Sequence, residues 1–219
     1  LGGAVILEKG LTEKDFEEMA GEGVKVVGEI GLGSVKFPED AVPMVKWAKK
    51  NGMVVLMHTG GTSIPGSSTV SADQVMATDP DVVCHVNGGP TSVAPEEIKK
   101  LVEQTSYALE IVHCGNMKTM VDALNYGLAH GALGRFIIGN DAPSGTGVIP
   151  LGVLRVIATA ASLTDVTAAQ AICMATGNTA LVHKLNRGFI AEGFEADLVS
   201  MDAPMGSIGL DAMGAIEAG

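Results

Sequence analysis

The chain has 219 residues, with 14 Lys and Arg against 25 Asp and Glu, a formal net charge of -11. Hydrophobic residues make up 47% and charged ones 18%, which excludes a disordered chain, since disorder needs low hydrophobicity alongside charge. The acidic balance argues against nucleic acid as a partner, because a basic stripe is what displaces counterions from phosphates. The richest apolar stretch, Val148 to Leu163, is broken by Pro150 and Arg155 and falls short of the roughly 18–20 residues of a membrane span. Glu8 and Lys9 interrupt the apolar opening, so no signal peptide is expected. Cys84, Cys114 and Cys173 are odd in number and form no C-x-x-C, and they read as reduced thiols of a cytoplasmic protein.

Leu1-Gly2-Gly3 leads straight into a strand-like Ala4–Leu7, an opening expected of a chain cut from something longer. Five further β-branched runs follow, at Lys25–Glu29, Met53–His58, Asp81–His85, Tyr107–His113 and Arg135–Asn140. Most are apolar on both faces, as strands buried on both sides must be. Helical stretches alternate with them, the pattern of βα units around a parallel sheet. Pro38, Glu39 and Asp40 open one helix that should end at Asn51-Gly52. Ser71 and Gln74 form a capping box, and Val121, Leu124 and Leu128 give the next helix an apolar stripe. A long helical tract, Leu151 to Leu185, is broken near Ser162 and again at Gly177-Asn178. Beyond it, Phe189 to Met201 reads as a return to β structure.

Spacing selects the architecture. The polar residues ending the strands, Glu29, His58, His85, His113 and Asp141, are separated by 29, 27, 28 and 28 residues. A (β/α)8 barrel allots roughly 30 residues to each unit and builds its active site at the carboxyl ends of the strands. A doubly wound sheet gathers its polar groups at one switch point instead. The fold class expected is therefore α/β, a TIM-type (β/α)8 barrel with strands 3–8 present and two more expected before Leu1. Residues 1–187 form the partial barrel, and 188–219 the start of a small C-terminal β-sandwich segment.

Glu29, His58, His85 and Asp141 are ligand types for a hydrolytic metal ion, each at the end of a strand. Imidazole and carboxylate suit Zn²⁺ or Fe²⁺, and a carboxylate can bridge two ions about 3.5–4 Å apart. A single strand-end histidine is more often a satisfied polar residue than a ligand. Four ligand-type residues in barrel phase favour the metal.

Val54-Val55-Leu56-Met57-His58, Val82-Val83-Cys84-His85 and Gly139-Asn140-Asp141 resemble the fifth-, sixth- and eighth-strand signatures of the amidohydrolase superfamily. Gly188-Phe189-Ile190-Ala191-Glu192-Gly193 with Glu195-Ala196-Asp197-Leu198-Val199 resembles the segment leading into that family's small β-sandwich. Within the superfamily, His58 to Thr69, Gly139 to Gly147 and Val27-Gly28-Glu29-Ile30-Gly31 are similar to the enamidases, cyclic-amide hydrolases of nicotinate breakdown. The resemblance implies His58, His85 and Asp141 as metal ligands, Glu29 as a bridging carboxylate, and Asp141 also as the catalytic proton shuttle. It implies two divalent ions, Zn and/or Fe, in the full-length protein. It further implies hydrolysis of a carboxylated cyclic amide by metal-activated hydroxide, 1,4,5,6-tetrahydro-6-oxonicotinate giving 2-formylglutarate and ammonia, in a homotetramer.

The family's first-strand His-x-His is missing: the five histidines are His58, His85, His113, His130 and His183. Truncation upstream of Leu1 is the reading preferred over a degenerate relative. Weaker expectations attach to the rim. His113 is read as either a substrate contact or a solvated rim residue. The loop Thr59-Gly60-Gly61 could present N–H groups to an anionic substrate or serve as a connector, and Asn87-Gly88-Gly89-Pro90 likewise. Alternation along a strand turns Cys84 away from the site. Arg135 and Arg155 are candidate carboxylate partners, and His130 and His183 are structural. Two rival readings stay open: a dihydroorotase-like or imidazolone-hydrolase-like enzyme, and a non-catalytic barrel that binds ligand or partner subunits.

Overall fold

A computed structural model describes residues 4–31, 33–62, 65–142, 145 and 147–218. Helix α1 (Glu13–Gly21) precedes strand β1 (Val26–Ile30), and the chain then alternates through α2 (Pro38–Lys50), β2 (Val54–Met57), α3 (Ala72–Thr78), β3 (Val82–Val83), α4 (Pro95–Gln104), β4 (Ala108–Val112), α5 (Met117–Ala129) and β5 (Phe136–Gly139). Helices α6 (Gly152–Leu163), α7 (Ala168–Ala175), α8 (Gly177–Val182) and α9 (Ala212–Ala218) complete the described chain.

The sheet runs β1-β2-β3-β4-β5 with every neighbouring pair parallel. Chain order equals spatial order, so the sheet has no reversal point of the doubly wound kind. Consecutive βα units adding strands in one direction are the barrel's construction. The expected first strand, Ala4–Leu7, is reduced to a single parallel bridge from Val5 to Val27, with Gly28 N–H donating to Val5 O at 2.8 Å. It occupies the sheet's sixth position without forming a ladder.

Two clusters divide the sheet's faces. Val27, Val55, Met57, Val83, Leu109, Ile111, Phe136 and Ile138 pack with the helices in the main core. Val54, Val82, Cys84, Ala108 and Ile137, with Leu56, form a smaller cluster on the other face, the barrel interior. The period of two in these strands separates the clusters cleanly.

Local signals operate as read. Pro38 opens α2 and Asn51 caps it, and Ser71 and Gln74 form the reciprocal box at α3. The buried face of α5 is Met120, Ala123, Leu124 and Gly127, so Val121 and Leu128 edge the stripe rather than centre it. The long helical tract breaks at Thr164 and Thr176. No strand forms over 189–201 among the described residues, a correction to the expected β segment. The reason is the want of a partner: Ile190, Leu198 and Val199 are 93%, 67% and 82% exposed, and a strand without a ladder or a covered face is not stable. No helix is long and apolar enough to cross a membrane among the described residues.

Candidate metal centre

Glu29, His58 and His85 meet at the carboxyl ends of β1, β2 and β3, with one donor atom from each within 4.8 Å of the others. His58 Nδ1 lies 3.2 Å from His85 Nε2. Glu29 reaches His85 Nε2 at 3.3 Å and His58 Nδ1 at 3.8 Å. Both rings are buried.

The backbone aims each donor differently. On β2, Val54, Leu56 and His58 share the interior face by simple alternation. Glu29 shares the parity of Val27, which points to the helices, so alternation alone would send it the wrong way. The register against β2 slips between Val27 and Ile30, and this bulge turns Glu29 inward, as bulges beside active sites do. Gly28 permits it: a Cβ there would sit 2.3 Å from the Leu56 carbonyl oxygen. At β3 the ladder stops at Val83, and His85 takes a positive φ of 36°. That turn brings His85 to the face already occupied by Cys84. Cys84 is core, as expected, but it lies on the interior face beneath the cluster and hydrogen-bonds Glu29, a correction to the expected outward orientation.

Hydrogen bonding settles the chemistry of the rings. His58 Nε2 is 2.8 Å from the Gly61 carbonyl, which can only accept, so Nε2 carries the proton and Nδ1 presents a lone pair to the cluster. Burial works against charge on Glu29, yet the hydrogen bond and charge of His85 hold its carboxyl below the usual range. Burial and then the neighbouring His85 charge push His58 down. Burial opposes charge on His85 too, but the Glu29 hydrogen bond and charge prevail and raise it. The cluster is thus a carboxylate and a neutral imidazole gathered around one proton on His85 Nε2. Exchange of that proton for a divalent cation leaves two imidazole nitrogens and a carboxylate, a donor set that fits Zn²⁺ or Fe²⁺. His85 Nδ1 is buried with no hydrogen-bond partner among the described residues.

Asp141 stands just outside the three-donor group. Its Oδ2 accepts from the Cys114 thiol at 2.8 Å, its backbone carbonyl accepts from Gly145 N–H at 2.9 Å, and its charge is a minor upward influence on both site histidines, outweighed at His58 by burial and the His85 charge. Burial, then the Asp141 hydrogen bond and charge, push the Cys114 thiol up to about 12, so Cys114 stays a donor.

The rim residues divide. Thr59 is buried and donates to the Cys84 carbonyl at 2.6 Å. The Gly60 and Gly61 N–H groups donate to the Val70 and Thr91 carbonyls at 3.0 and 2.8 Å. Of the two alternatives for this loop, the pairing of the Gly60 and Gly61 N–H groups within the fold favours the connector, and its contact with the site is the Gly61 carbonyl. His113, just past the end of β4, lines a cavity of about 550 Å³ beside α5 and α6 together with Val112 and Arg155, rather than joining the donor group. Arg135 donates to the Tyr107 and Leu101 carbonyls at 2.8 and 3.3 Å, closing the end of α4 instead of awaiting a substrate carboxylate. Ser63, Ile64, Pro143, Ser144 and Thr146, parts of the two signature loops, lie outside the described residues.

One carboxylate in contact with the site lies off the strand-end pattern. Glu110 lies mid-strand in β4 on the interior face, and its Oε2 accepts from His85 N–H at 3.2 Å. Burial, tempered by the charge of His85, raises its carboxyl to about 7. The available signal is a lone acid at interior parity between Ala108 and Val112.

The amidohydrolase family model matches residues 7–217. The chain belongs to the amidohydrolase family. Enamidase of Eubacterium barkeri is 60% identical over 218 residues, all of this amidohydrolase chain and 56% of that enzyme. A crystal structure of enamidase matches with a TM-score of 0.96 at 59% identity, covering 99% of this chain and 56% of that one. The β-aspartyl dipeptidase of Fervidobacterium islandicum AW-1 shares the fold, with a TM-score of 0.65 at 17% identity over 89% of this chain and 58% of its own. The chain thus spans a little over half the length of the curated relative it matches.

Proposed function

We propose that the protein carrying this chain is a metal-dependent hydrolase of a cyclic amide, with an enamidase-like substrate, 1,4,5,6-tetrahydro-6-oxonicotinate, opened to 2-formylglutarate and ammonia. The observation that carries the reading is the convergence of Glu29, His58 and His85 within 4.8 Å, in a chain 60% identical to enamidase. Substrate and products rest on that likeness. Residues 1–187 are a partial (β/α)8 catalytic barrel and 188–219 the incomplete start of a small C-terminal β-sandwich segment. A cytoplasmic homotetramer belongs to the same reading.

His58 Nδ1 and His85 Nε2 are the nitrogen donors, and Glu29 the carboxylate able to bridge a second ion. When bound, the divalent cations, Zn and/or Fe, polarise the amide carbonyl and acidify water. The chain's own residues handle the proton. Asp141 accepts it from the attacking water and returns it to the departing ring nitrogen, a base-then-acid sequence that leaves a ring-opened enamine; the enamine tautomerises to an imine, and a second water hydrolyses it to the aldehyde and ammonia. Cys114 donates to one Asp141 oxygen and so helps fix the carboxylate's orientation. The Gly61 carbonyl keeps His58 in its ligating tautomer, a supporting contact of the kind that orients metal-binding histidines. The test is hydrolysis of cyclic amides by the natural protein, with metal measured in the same sample. Activity on the six-membered enamide above dihydroorotate and imidazolone substrates supports the reading. Metal binding with no hydrolysis of any of them would favour a binding module instead.

A further inference from the structure

We infer that Glu110 is a positioning residue that sets His85 on the metal side of the sheet. The inference rests on the metal reading above and adds a residue that the strand-end pattern does not reach. Strand β3 ends at Val83, two residues before His85, so the sheet ladder does not place the ring. What places it is a set of contacts from β4. The Glu110 carboxylate accepts His85 N–H at 3.2 Å, and the Glu110 carbonyl accepts Val86 N–H at 2.9 Å. Asn87 continues the pairing with its side chain, accepting from Val112 N–H at 2.8 Å and donating to Val112 O at 3.1 Å. Gly88 N–H closes the turn on the His85 carbonyl at 2.7 Å.

Within that set, Glu110 is the member that touches the His85 amide through a side chain. The bond falls where His85 departs from strand geometry, at its φ of 36°. A backbone N–H buried there without an acceptor costs more than the bond itself contributes. Without Glu110, the amide would be driven to recover a ladder partner, and ladder geometry would rotate His85 away from Glu29 and His58. Space for the carboxylate is reserved on the neighbouring strand: a Cβ at Gly139 would lie 2.2 Å from Glu110 Oε1.

Residues that orient metal ligands typically change metal affinity by about 10–100-fold when lost. The experiment titrates Co²⁺ into the natural protein and into Glu110→Gln and Glu110→Met, following the visible cobalt bands and competition with a chelator. Gln keeps an oxygen acceptor at the same reach, whereas Met keeps volume and removes it. The expected result is a 10–100-fold weaker, spectrally altered cobalt site in Glu110→Met and near-normal affinity and bands in Glu110→Gln. Thermal unfolding of each variant keeps a folding defect separate from a ligation defect. Wild-type affinity and spectrum in Glu110→Met would overturn the inference, leaving the metal reading intact. Equal losses in both variants would also overturn it, since charge and not the hydrogen bond would then be the active property. Failure of the unaltered protein to bind Co²⁺ would overturn both readings together.

Discussion

Asp141→Asn separates proton transfer from metal binding. The change keeps the side chain's size and one oxygen, so the Cys114 thiol, now 2.8 Å from Oδ2, retains an acceptor. Asp141 is not among the three donors that converge within 4.8 Å, so metal held by Glu29, His58 and His85 should remain. What is lost is a group able to take and return a proton. General acid–base assistance is worth about 10²–10⁴ in rate, equivalent to about 3–5 kcal/mol of barrel-rim transition-state stabilisation at 1.36 kcal/mol per decade. The assay is turnover of the cyclic enamide by the natural protein and the variant, with metal content measured on the same preparations. Turnover should fall 10²–10⁴-fold at unchanged metal content. Retained turnover, or a loss of activity in step with a loss of metal, would refute the shuttle assignment.

Metal affinity should fall as pH is lowered through the raised His85 value, because that proton must leave before the ring can ligate. Glu29, held low, stays ionised throughout that range; pH-independent affinity in a Co²⁺ titration would contradict the assignment. Glu110 has a folded value of about 7 against 4.5 unperturbed, so the folded state binds more protons between those values. Its contribution is therefore fully present below the lower value and lost as pH rises through the upper one, by at most about 3 kcal/mol. Urea unfolding of chelator-treated protein should show this slope, and Glu110→Gln should flatten it; an equally steep Gln variant would count against it. Gly60→Ala should destabilise strongly, since its Cβ would fall 1.7 Å from the Thr91 carbonyl oxygen at a φ of 88°. Gly52→Ala, at a φ of 76° in open space, should cost only the left-handed penalty of about 1–2 kcal/mol. Equal urea midpoints for the two variants would refute that comparison.

The barrel units were legible because the chain repeats them. Strand-end acids and histidines recur at 27 to 29 residues, and local start signals mark helices such as α2 at Pro38 and α3 at Ser71. Alternation correctly put His58 inward. It fails at Glu29 and at His85, whose turn inward undoes the inference that Cys84 faces away, for one shared reason: strands bulge or stop beside the site, and period-two parity does not survive either event. The bulge at Gly28 and the early end of β3 at Val83 depend on contacts with β2 and β4, which no local pattern contains. The same holds for Glu110, whose interior placement follows from parity but whose partner, the His85 amide, follows from tertiary structure alone. His113 shows the converse, a strand-end polar residue in perfect spacing that lines the cavity beside α5 and α6 rather than joining the donor group. Phe189–Met201 alternates as a strand should, but a strand is completed by its neighbours, and these residues have none among the described chain.

The most direct test of the central claim is to locate a bound cation in the natural protein by anomalous X-ray diffraction at the metal edge. The account predicts density coordinated by His58 Nδ1 and His85 Nε2 at about 2.0–2.1 Å and by a Glu29 oxygen at about 2.0–2.2 Å. It also predicts His58 Nε2 still bonded to the Gly61 carbonyl. A cation found elsewhere, or bound through His58 Nε2 with that carbonyl released, would contradict it.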